Sequence, residues 1–259
     1  MKAIPSQSYK EGVETMNLKK NEIKSAVIAM VMGDGCLSRS NGRKGYKVGN
    51  AFFQMTHCAA QYEYMLWKKG ILDKVSKCKI HKNDGNGFGG KNSKAYHLYS
   101  GAHPTYSALY SRFYKYPGRK GVDEYLVKMI TPLGLAILYM DDGCIGKAIP
   151  KYWTKETFYL CLDGFDYANL FLIKKSLKIK FDLDWNINKT SVNYHQLRLL
   201  NNHNQKFVDI IKPYILQIPC MTYKLGSYVN PSELKDDIVR SSQRCEEVDR
   251  NDQPHLTSE

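Results

Sequence analysis

Two apolar stretches that end in aspartate and glycine define the organisation of this chain: AVIAMVMGDG at residues 26–35 and LGLAILYMDDG at residues 133–143. Neither stretch has a polar face over two helical turns, so both predict buried helices. The chain continues after them as DGCLSR at 34–39 and DGCIGK at 142–147, at a constant offset of 108 residues. All positions except Ser38 and Gly146 match in identity or chemical type, which indicates an internal repeat.

The similarity continues beyond these motifs at slightly smaller offsets, as loops of different length would produce. MLWKK at 65–69 matches FLIKK at 171–175, and KIHK at 79–82 matches NINK at 186–189. We predict two copies of one unit, at residues 17–115 and 125–225, joined by a basic linker at 116–124. Residues 1–16 are expected to be an N-terminal extension, and residues 226–259 a polar, acidic tail.

Each unit predicts the order helix, two strands, helix, two strands, helix, which is an α+β fold. Strand patterns cover residues 47–55, 79–82, 95–100, 157–162, 185–187 and 191–199. Further helical patterns cover 60–76, 104–114, 166–180 and 202–216. We expect the two motif helices to pack on each other at the centre, where the small residues Ala26, Ala29 and Gly33 allow a close approach.

Local signals mark the ends of the motif helices. Thr131-Pro132 predicts an N-cap followed by proline at the first helical position, and Asn21-Glu22 predicts an N-cap with an early acid. Gly35 and Gly143 are predicted to close the helices in the left-handed conformation.

Charge points to a polyanionic partner. Residues 226–259 hold eight acidic and four basic residues, a formal charge of −4, whereas the preceding 225 residues carry +17. A folded body this basic is typical of proteins that bind nucleic acid. The seven cysteines include no CxxC pair, so we expect reduced thiols. No apolar run approaches the roughly 20 residues of a membrane helix, so no membrane partner is expected.

Asp34 and Asp142 occupy equivalent positions at the ends of the two predicted helices. A carboxylate at a helix C-terminus is electrostatically unfavourable, and two of them at the ends of one helix pair concentrate negative charge. Carboxylates and unpaired carbonyls are oxygen ligands that suit Mg²⁺. Together with the basic body and the repeat, this arrangement favours metal-assisted phosphodiester hydrolysis on duplex DNA.

The stretches VIAMVMGDG (27–35) and LAILYMDDG (135–143) resemble the two signature motifs of a single-chain LAGLIDADG homing endonuclease of the group I intron type. ITPLGLA before the second motif and IPCMTYKL at 218–225 support the resemblance, which spans residues 17–225. It implies a duplicated αββαββα fold whose two antiparallel sheets form a saddle with pseudo-two-fold symmetry. Such a monomer would cut both strands of a long asymmetric site across the minor groove, promoting the mobility of its intron or gene.

The resemblance also implies roles for individual residues. Asp34 and Asp142 would be the essential ligands of two or three shared Mg²⁺ ions, assisted by the carbonyls of Gly33 and Asp141. Lys224 would stabilise charge or position water, and its partner from the first repeat would be Lys120, with Arg119 as the alternative. In the second motif, Ile137 and Asp141 stand where the family consensus has glycine and alanine, so its helix interface is less idealised.

DNA readout is expected from the strands and the loops that join them. The seven histidines show no metal-ligand spacing, so each is interpreted as a contact or a packing residue rather than a zinc ligand. The candidates, of which half or more would touch only phosphate, are Arg39, Arg43, Lys44, Lys47, Lys79, His81, Lys82, Lys147, Lys151, Lys155, Asn186, Asn188, Lys189, His195 and Arg198.

Besides a nickase, which one weak half-site would produce, two other interpretations remain open. An intron maturase on the same scaffold would bind its own intron RNA and assist splicing. A DNA-binding regulator would keep the fold without cleavage and would tolerate the loss of either motif aspartate. All three interpretations place the protein inside a cell, either in the cytoplasm of a prokaryote or phage host or in an organelle matrix.

Overall fold

The computed structural model describes residues 17–39, 49–83, 94–115, 119–146, 156–191 and 194–229. The elements of the first repeat, in chain order, are α1 (Lys20–Met32), β1 (Cys36–Ser38), β2 (Phe52–Cys58), α2 (Tyr62–Leu72), β3 (Cys78–Asn83), β4 (Ala95–Ser100) and α3 (Pro104–Phe113). A short helix, α4 (Glu124–Lys128), begins at the last residue of the predicted linker. The second repeat comprises α5 (Pro132–Asp142), β5 (Gly143–Gly146), β6 (Thr157–Leu160), α6 (Tyr167–Phe181), β7 (Trp185–Lys189), β8 (His195–Leu199) and α7 (Asn204–Ile215).

Both repeats fold in the same way. Their four-stranded antiparallel sheets have the strand orders β1-β2-β4-β3 and β5-β6-β8-β7, which are equivalent. Short 3₁₀ turns precede α2 and α7, and a longer 3₁₀ segment at Pro219–Tyr228 follows α7. The α+β prediction of two duplicated units with antiparallel sheets is confirmed.

Helices α1 and α5 pack against each other in the core. Residues 25–32 of α1 and 133–140 of α5 are all buried, which confirms that neither helix has a polar face. A β-carbon on Gly33 would lie 2.6 Å from Cβ of Asp141, and one on Gly134 would overlap the side chain of Ser25. The two backbones therefore approach closely at both ends of their contact, which only glycine permits there.

The glycines that follow the motif aspartates matter for space rather than for backbone conformation. The prediction of left-handed Gly35 and Gly143 is wrong: Gly143 has φ −85° and ψ 150°, and Gly226 is the only described glycine with a positive φ. A β-carbon on Gly35 would instead overlap the ring of Phe53, and one on Gly143 would overlap the carbonyl of Tyr139.

The predicted start of α5 is confirmed and that of α1 is shifted. Thr131 Oγ1 accepts a hydrogen bond from the backbone N–H of Gly134, and proline is the first residue of α5. The N-cap prediction for Asn21 is wrong because this residue already lies inside α1. The early acid acts as expected, since Glu22 accepts a hydrogen bond of 2.9 Å from the backbone N–H of Lys19.

The remaining boundaries differ mainly at the short strands. Strand β4 has the predicted bounds, whereas the strand predicted over 191–199 begins only at His195. The strands β1 and β5, of three and four residues, were not among the predicted segments. The six described cysteines are free thiols. No helix in the described part of the chain is long and apolar enough to cross a membrane. Residues 1–16 and most of the predicted tail lie outside the described residues.

Candidate active site and nucleic-acid surface

The two motif aspartates lie at the ends of the packed helices. Asp142 is the last residue of α5, and Asp34 lies two residues beyond the end of α1. A hydrogen bond joins the two helix ends, since the backbone N–H of Asp34 donates to Oδ2 of Asp141 over 3.4 Å. The structure thus brings the acidic ends of the two motifs together.

Crowding of these carboxylates opposes their ionisation. Burial, followed by the negative charges of Asp141 and Asp34, raises the pKa of Asp142 to about 7. Burial and the charge of Asp141 likewise raise the pKa of Asp34, whose side chain is 37% exposed. A divalent cation would relieve this repulsion, and the donors present are the oxygen ligands that Mg²⁺ prefers. The residues at this site therefore fit such an ion.

Lys120 holds the C-terminal end of α1. Its Nζ donates to the carbonyl oxygens of Val31 at 2.9 Å, Gly33 at 3.1 Å and Gly35 at 2.8 Å. A cation there offsets the negative end of the helix dipole, while burial lowers the pKa of the lysine. The alternative candidate, Arg119, lines a cleft between α3 and α6, which Lys120 lines as well.

Lys224 takes the corresponding position at the end of α5. Its Nζ donates to the carbonyl oxygen of Gly143 over 2.5 Å, and burial lowers its pKa. Gly35 and Gly143 are equivalent in the repeat, so Lys120 and Lys224 bind equivalent carbonyls. The hydroxyl of Tyr139 fixes the backbone of the second lysine by donating to its carbonyl over 2.7 Å.

Asp141 belongs to a buried polar cluster, which comprises Asp141, Lys68, Tyr64 and His57. Oδ1 of Asp141 accepts hydrogen bonds from Lys68 Nζ at 2.5 Å and from the hydroxyl of Tyr64 at 2.7 Å. Neither side chain of the Lys68–Asp141 ion pair has exposed surface. Additional hydrogen bonds of this kind offset the desolvation of a buried ion pair. The carboxylate of Asp141 is thus bound by Lys68 and Tyr64. The role predicted for Asp141, assisting the metal ligands, involves its backbone carbonyl.

His57 connects the polar cluster to Asp34. Its Nε2 lies 3.1 Å from Lys68 Nζ, and its Nδ1 lies 2.9 Å from Oε1 of Gln61 and 3.9 Å from Oδ2 of Asp34. Burial, followed by the charge of Lys68, lowers the pKa of His57 to about 4. The ring is therefore neutral at pH 7, so that Nε2 accepts from the lysine and Nδ1–H donates to Gln61.

Sequence reasoning did not select Lys68, Tyr64 or His57. His57 follows Met55 at an alternating buried position of β2, so period-two alternation could have marked it as inward-facing. Tyr64 and Lys68 lie one helical turn apart on α2 and therefore share a face. Nothing in the sequence indicates that Lys68 rather than Lys69 turns inward.

Each sheet has a face packed against helices and an open face. In the first sheet Met55 pairs with Leu98 on the packed face, and both are buried. Gln54, Tyr99 and Lys79 are in register on the open face, where Tyr99 and Lys79 are exposed. Because side chains alternate along a strand, this register assigns each strand residue to a face.

This alternation separates the predicted DNA contacts into groups. Five lie in register on the open faces: Lys79, His81, Asn186, Asn188 and Arg198. Three lie at packed-face positions near strand ends: Lys82, Lys189 and His195. Arg39 follows β1 and donates to the carbonyl of Ser107 on α3 over 3.3 Å. The others lie outside the described residues: Arg43, Lys44, Lys47, Lys147, Lys151 and Lys155.

Polar and aromatic residues that the sequence analysis did not select also lie on the open faces. In the first sheet the ring of His97 stacks on Tyr99 with centroids 5.8 Å apart, and Thr56 lies within hydrogen-bonding distance of His97. The alternation of side chains along each strand is the signal that could have identified these residues. The open-face residues missed are Gln54, Thr56, His97, Tyr99, Tyr159 and Gln196.

The sequence profile of the LAGLIDADG DNA endonuclease family matches residues 24–207, a range that includes both motifs. The chain therefore belongs to the LAGLIDADG DNA endonuclease family. Its fold is similar to that of the homing endonuclease I-WcaI bound to its DNA recognition sequence, with a TM-score of 0.62 and 22% sequence identity. That match covers 86% of this chain and 94% of the other.

The curated proteins to which the chain is similar include mRNA maturases and RecA proteins. The chain is 28% identical over 228 residues to cytochrome b mRNA maturase bI2 of Saccharomyces cerevisiae, covering 80% of this chain and 48% of the maturase. It is 27% identical over 205 residues to protein RecA of Mycobacterium gastri, covering 77% and 46% respectively. The chain thus spans about half the length of these curated relatives. A maturase bI2 of Debaryomyces hansenii is 24% identical and is covered over 75% of its length.

Proposed function

We propose that this chain is a site-specific endonuclease that hydrolyses both strands of a long asymmetric DNA site with Mg²⁺. The observation that carries the proposal is the paired arrangement of Asp34 with Lys120 and of Asp142 with Lys224. Each lysine binds the carbonyl that follows its motif aspartate. Two equivalent acidic helix ends, each in a repeat with its own four-stranded sheet, suit a duplex whose two strands are related by a pseudo-two-fold axis.

The proposal assigns metal binding to the aspartates and charge stabilisation to the lysines. Asp34 and Asp142 would hold the divalent ions, with the carbonyls of Gly33 and Asp141 beside them. When bound, such ions polarise the phosphate and lower the pKa of a coordinated water. Lys120 and Lys224 hold the backbone of the two helix ends in place and add positive charge where the phosphate charge develops.

The open faces would position the DNA. Lys79 on β3 supplies positive charge on the open face of the first sheet, and Arg198 on β8 supplies it on the open face of the second. Polar side chains beside them offer donors and acceptors to base edges in a groove. The formal charge of +17 over residues 1–225 supports attraction to the phosphate backbone. The chain would act as a monomer because it contains both repeats.

A second candidate function is that of an intron maturase, favoured by the similarity to the maturases bI2 of two yeasts. It would use the same basic scaffold to bind intron RNA. Both motif aspartates are present and have raised pKa values, an arrangement that RNA binding alone does not require. This observation makes the nuclease the better-supported candidate, and one protein could perform both functions.

The test is cleavage of a DNA duplex that joins the sequences flanking the point where this coding sequence is inserted. Purified protein is incubated with the duplex in Mg²⁺ or EDTA, and binding to the corresponding intron RNA is measured in parallel by filter retention. The nuclease proposal predicts a double-strand cut in Mg²⁺ only. Tight binding to RNA or DNA without any cut in Mg²⁺ would contradict it, and specific RNA binding would then favour the maturase.

A further inference from the structure

The polar cluster places a buried cation beside three groups that are all able to bind a metal ion. Asp34, His57 and Asp141 each offer one ligand atom, and these three atoms lie within 4.8 Å of one another. Two carboxylates and an imidazole suit a transition-metal ion such as Mn²⁺ or Co²⁺. The ammonium group of Lys68 contacts two of the three residues, at 2.5 Å from Asp141 Oδ1 and 3.1 Å from His57 Nε2.

Several contacts hold this ammonium group in place. Lys68 is fully buried on α2, and its Nζ also lies 4.1 Å from the centre of the Tyr64 ring, within cation–π range. The hydroxyl of the same tyrosine also donates to Asp141 Oδ1, over 2.7 Å. The lysine therefore occupies one fixed position beside Asp141 rather than reaching to solvent.

The second repeat has a different set of residues at the equivalent positions. The repeat offsets pair Asp141 with Gly33, Tyr64 with Leu170 and Lys68 with Lys174. Lys174 is partly exposed and Leu170 is buried and apolar. The extra carboxylate at 141 thus coincides with a tyrosine and a buried lysine that face it from the opposite repeat.

We propose that Lys68 is a positioning residue that acts as a built-in cation: it neutralises Asp141 and keeps a divalent ion out of the Asp34–His57–Asp141 triad. Asp34 is thereby left to act with Asp142 rather than with Asp141. The proposal rests on the proposed function for its role in catalysis, but the exclusion itself is a property of the protein without DNA. It makes the half of the site around Asp34 chemically different from the half around Asp142.

Replacing the lysine while keeping its shape tests the exclusion. Lys68→Met removes the terminal ammonium group but retains a chain of similar length. The free, full-length protein is titrated with Mn²⁺ and bound ions are counted by electron paramagnetic resonance, with spin-echo modulation to detect a histidine nitrogen on the ion. Lys68→Met should bind one Mn²⁺ per chain more than wild type, and this ion should show a histidine signature. Wild type should show neither the additional ion nor the histidine signature.

Matched variants assign the effect to the triad. The additional ion should disappear when His57→Gln is combined with Lys68→Met, and also in the neutral pair Lys68→Met with Asp141→Asn. Lys68→Arg, which keeps the positive charge, should exclude the ion as wild type does. A purely structural role for the lysine would not produce a metal ion bound by histidine.

Two results would overturn the proposal. One is a His57-dependent Mn²⁺ site in wild type, and the other is a folded Lys68→Met protein without the additional ion. If Lys68→Met is unstable, Mn²⁺ should raise its Tm more than that of the neutral pair, and an equal rise would also overturn the proposal. A wild-type protein that binds Mn²⁺ but cuts no DNA would contradict the proposed function alone, because the ion count does not depend on cleavage.

Discussion

Asp142 illustrates how the fold places an acid where its charge is disfavoured. It ends a buried helix, close to the carboxylates of Asp141 and Asp34, and its pKa is raised to about 7. The folded protein is stabilised when this carboxylate takes up a proton or binds a cation, because either one removes the repulsion between the acids. Because protonation and metal binding compete for the same oxygens, the state of this residue should depend on both pH and divalent metal.

We therefore expect Asp142→Asn to melt at a higher temperature than wild type in EDTA at about pH 8, with the difference shrinking toward about pH 5. The folded-state pKa lies above the unfolded value of about 3.9. Protonation of Asp142 thus stabilises the folded protein fully below about pH 4, and this contribution is lost as the pH rises through about 7. Thermal unfolding followed by circular dichroism measures the difference.

Metal provides the control for this prediction. At the higher pH, saturating Mg²⁺ should raise the Tm of wild type more than that of Asp142→Asn, because binding to the folded protein stabilises it. A difference in Tm between the two proteins that does not change with pH would contradict the assigned pKa and its cause.

At the residue scale, the acids and lysines selected from the sequence lie together at the two helix ends, whereas their surroundings were not predicted. Asp34 and Asp142 could be selected because the repeat and the family resemblance both mark them, whereas Lys120 and Lys224 were selected from the resemblance alone. Lys68 could not be selected, since its burial depends on how α2 of one repeat packs against the end of α5 in the other. Contacts between distant segments of this kind leave no periodic pattern in the sequence.

Among the elements, the packing of α1 against α5 fixes the position of the acidic helix ends. Gly134→Ala should lower the free energy of unfolding by about 1–3 kcal/mol, because the new methyl group would overlap the side chain of Ser25. Helix propensity alone predicts the opposite sign, a gain of about 1 kcal/mol. Urea unfolding monitored by fluorescence distinguishes the two.

Gly164→Ala is the matched control for this substitution. No atom lies within 4 Å of a β-carbon at Gly164, so the expected change is within about 0.5 kcal/mol. A stabilising effect of Gly134→Ala would mean that the two helices are not in close contact at that position.

The long elements were predictable from the sequence and the short ones were not. Helices of ten residues or more could be identified by apolar periodicity, as at Tyr167–Phe181, or by an unbroken apolar run, as in α1 and α5. Strands β1 and β5 hold only three or four residues, and β5 contains two glycines. They exist because Cys36–Ser38 and Gly143–Gly146 pair with a neighbouring strand, an interaction that local sequence does not encode.

The faces of the sheets lead to a prediction about DNA binding. Lys79 lies on the open face of β3, whereas Lys82 lies in register with the packed face. Lys79→Gln should weaken DNA binding and reduce the slope of log affinity against log salt concentration by about 1. Lys82→Gln should have the smaller effect. Fluorescence anisotropy with a labelled duplex at several salt concentrations measures both slopes, and equal effects would contradict the assigned faces.

At the scale of the whole molecule, one chain carries both halves of a site that suits a duplex. The repeats share their strand order, and Lys120 and Lys224 bind equivalent carbonyls. The halves differ, however, in the polar cluster that faces Asp34. The proposed nuclease would cut two strands without dimerising, and its two halves need not contribute equally to the two cuts.

The central claim, that Asp34 and Asp142 together serve cleavage of both strands, is tested most directly by strand-resolved cleavage. A duplex spanning the insertion junction carries a different fluorescent label on each strand, and products in Mg²⁺ are separated on a denaturing gel. Wild type and Asp209→Asn, which alters an exposed acid on α7, should cut both strands. Asp34→Asn and Asp142→Asn should each abolish the double-strand cut, leaving at most a nick. Unchanged cleavage of both strands by either variant would contradict the account.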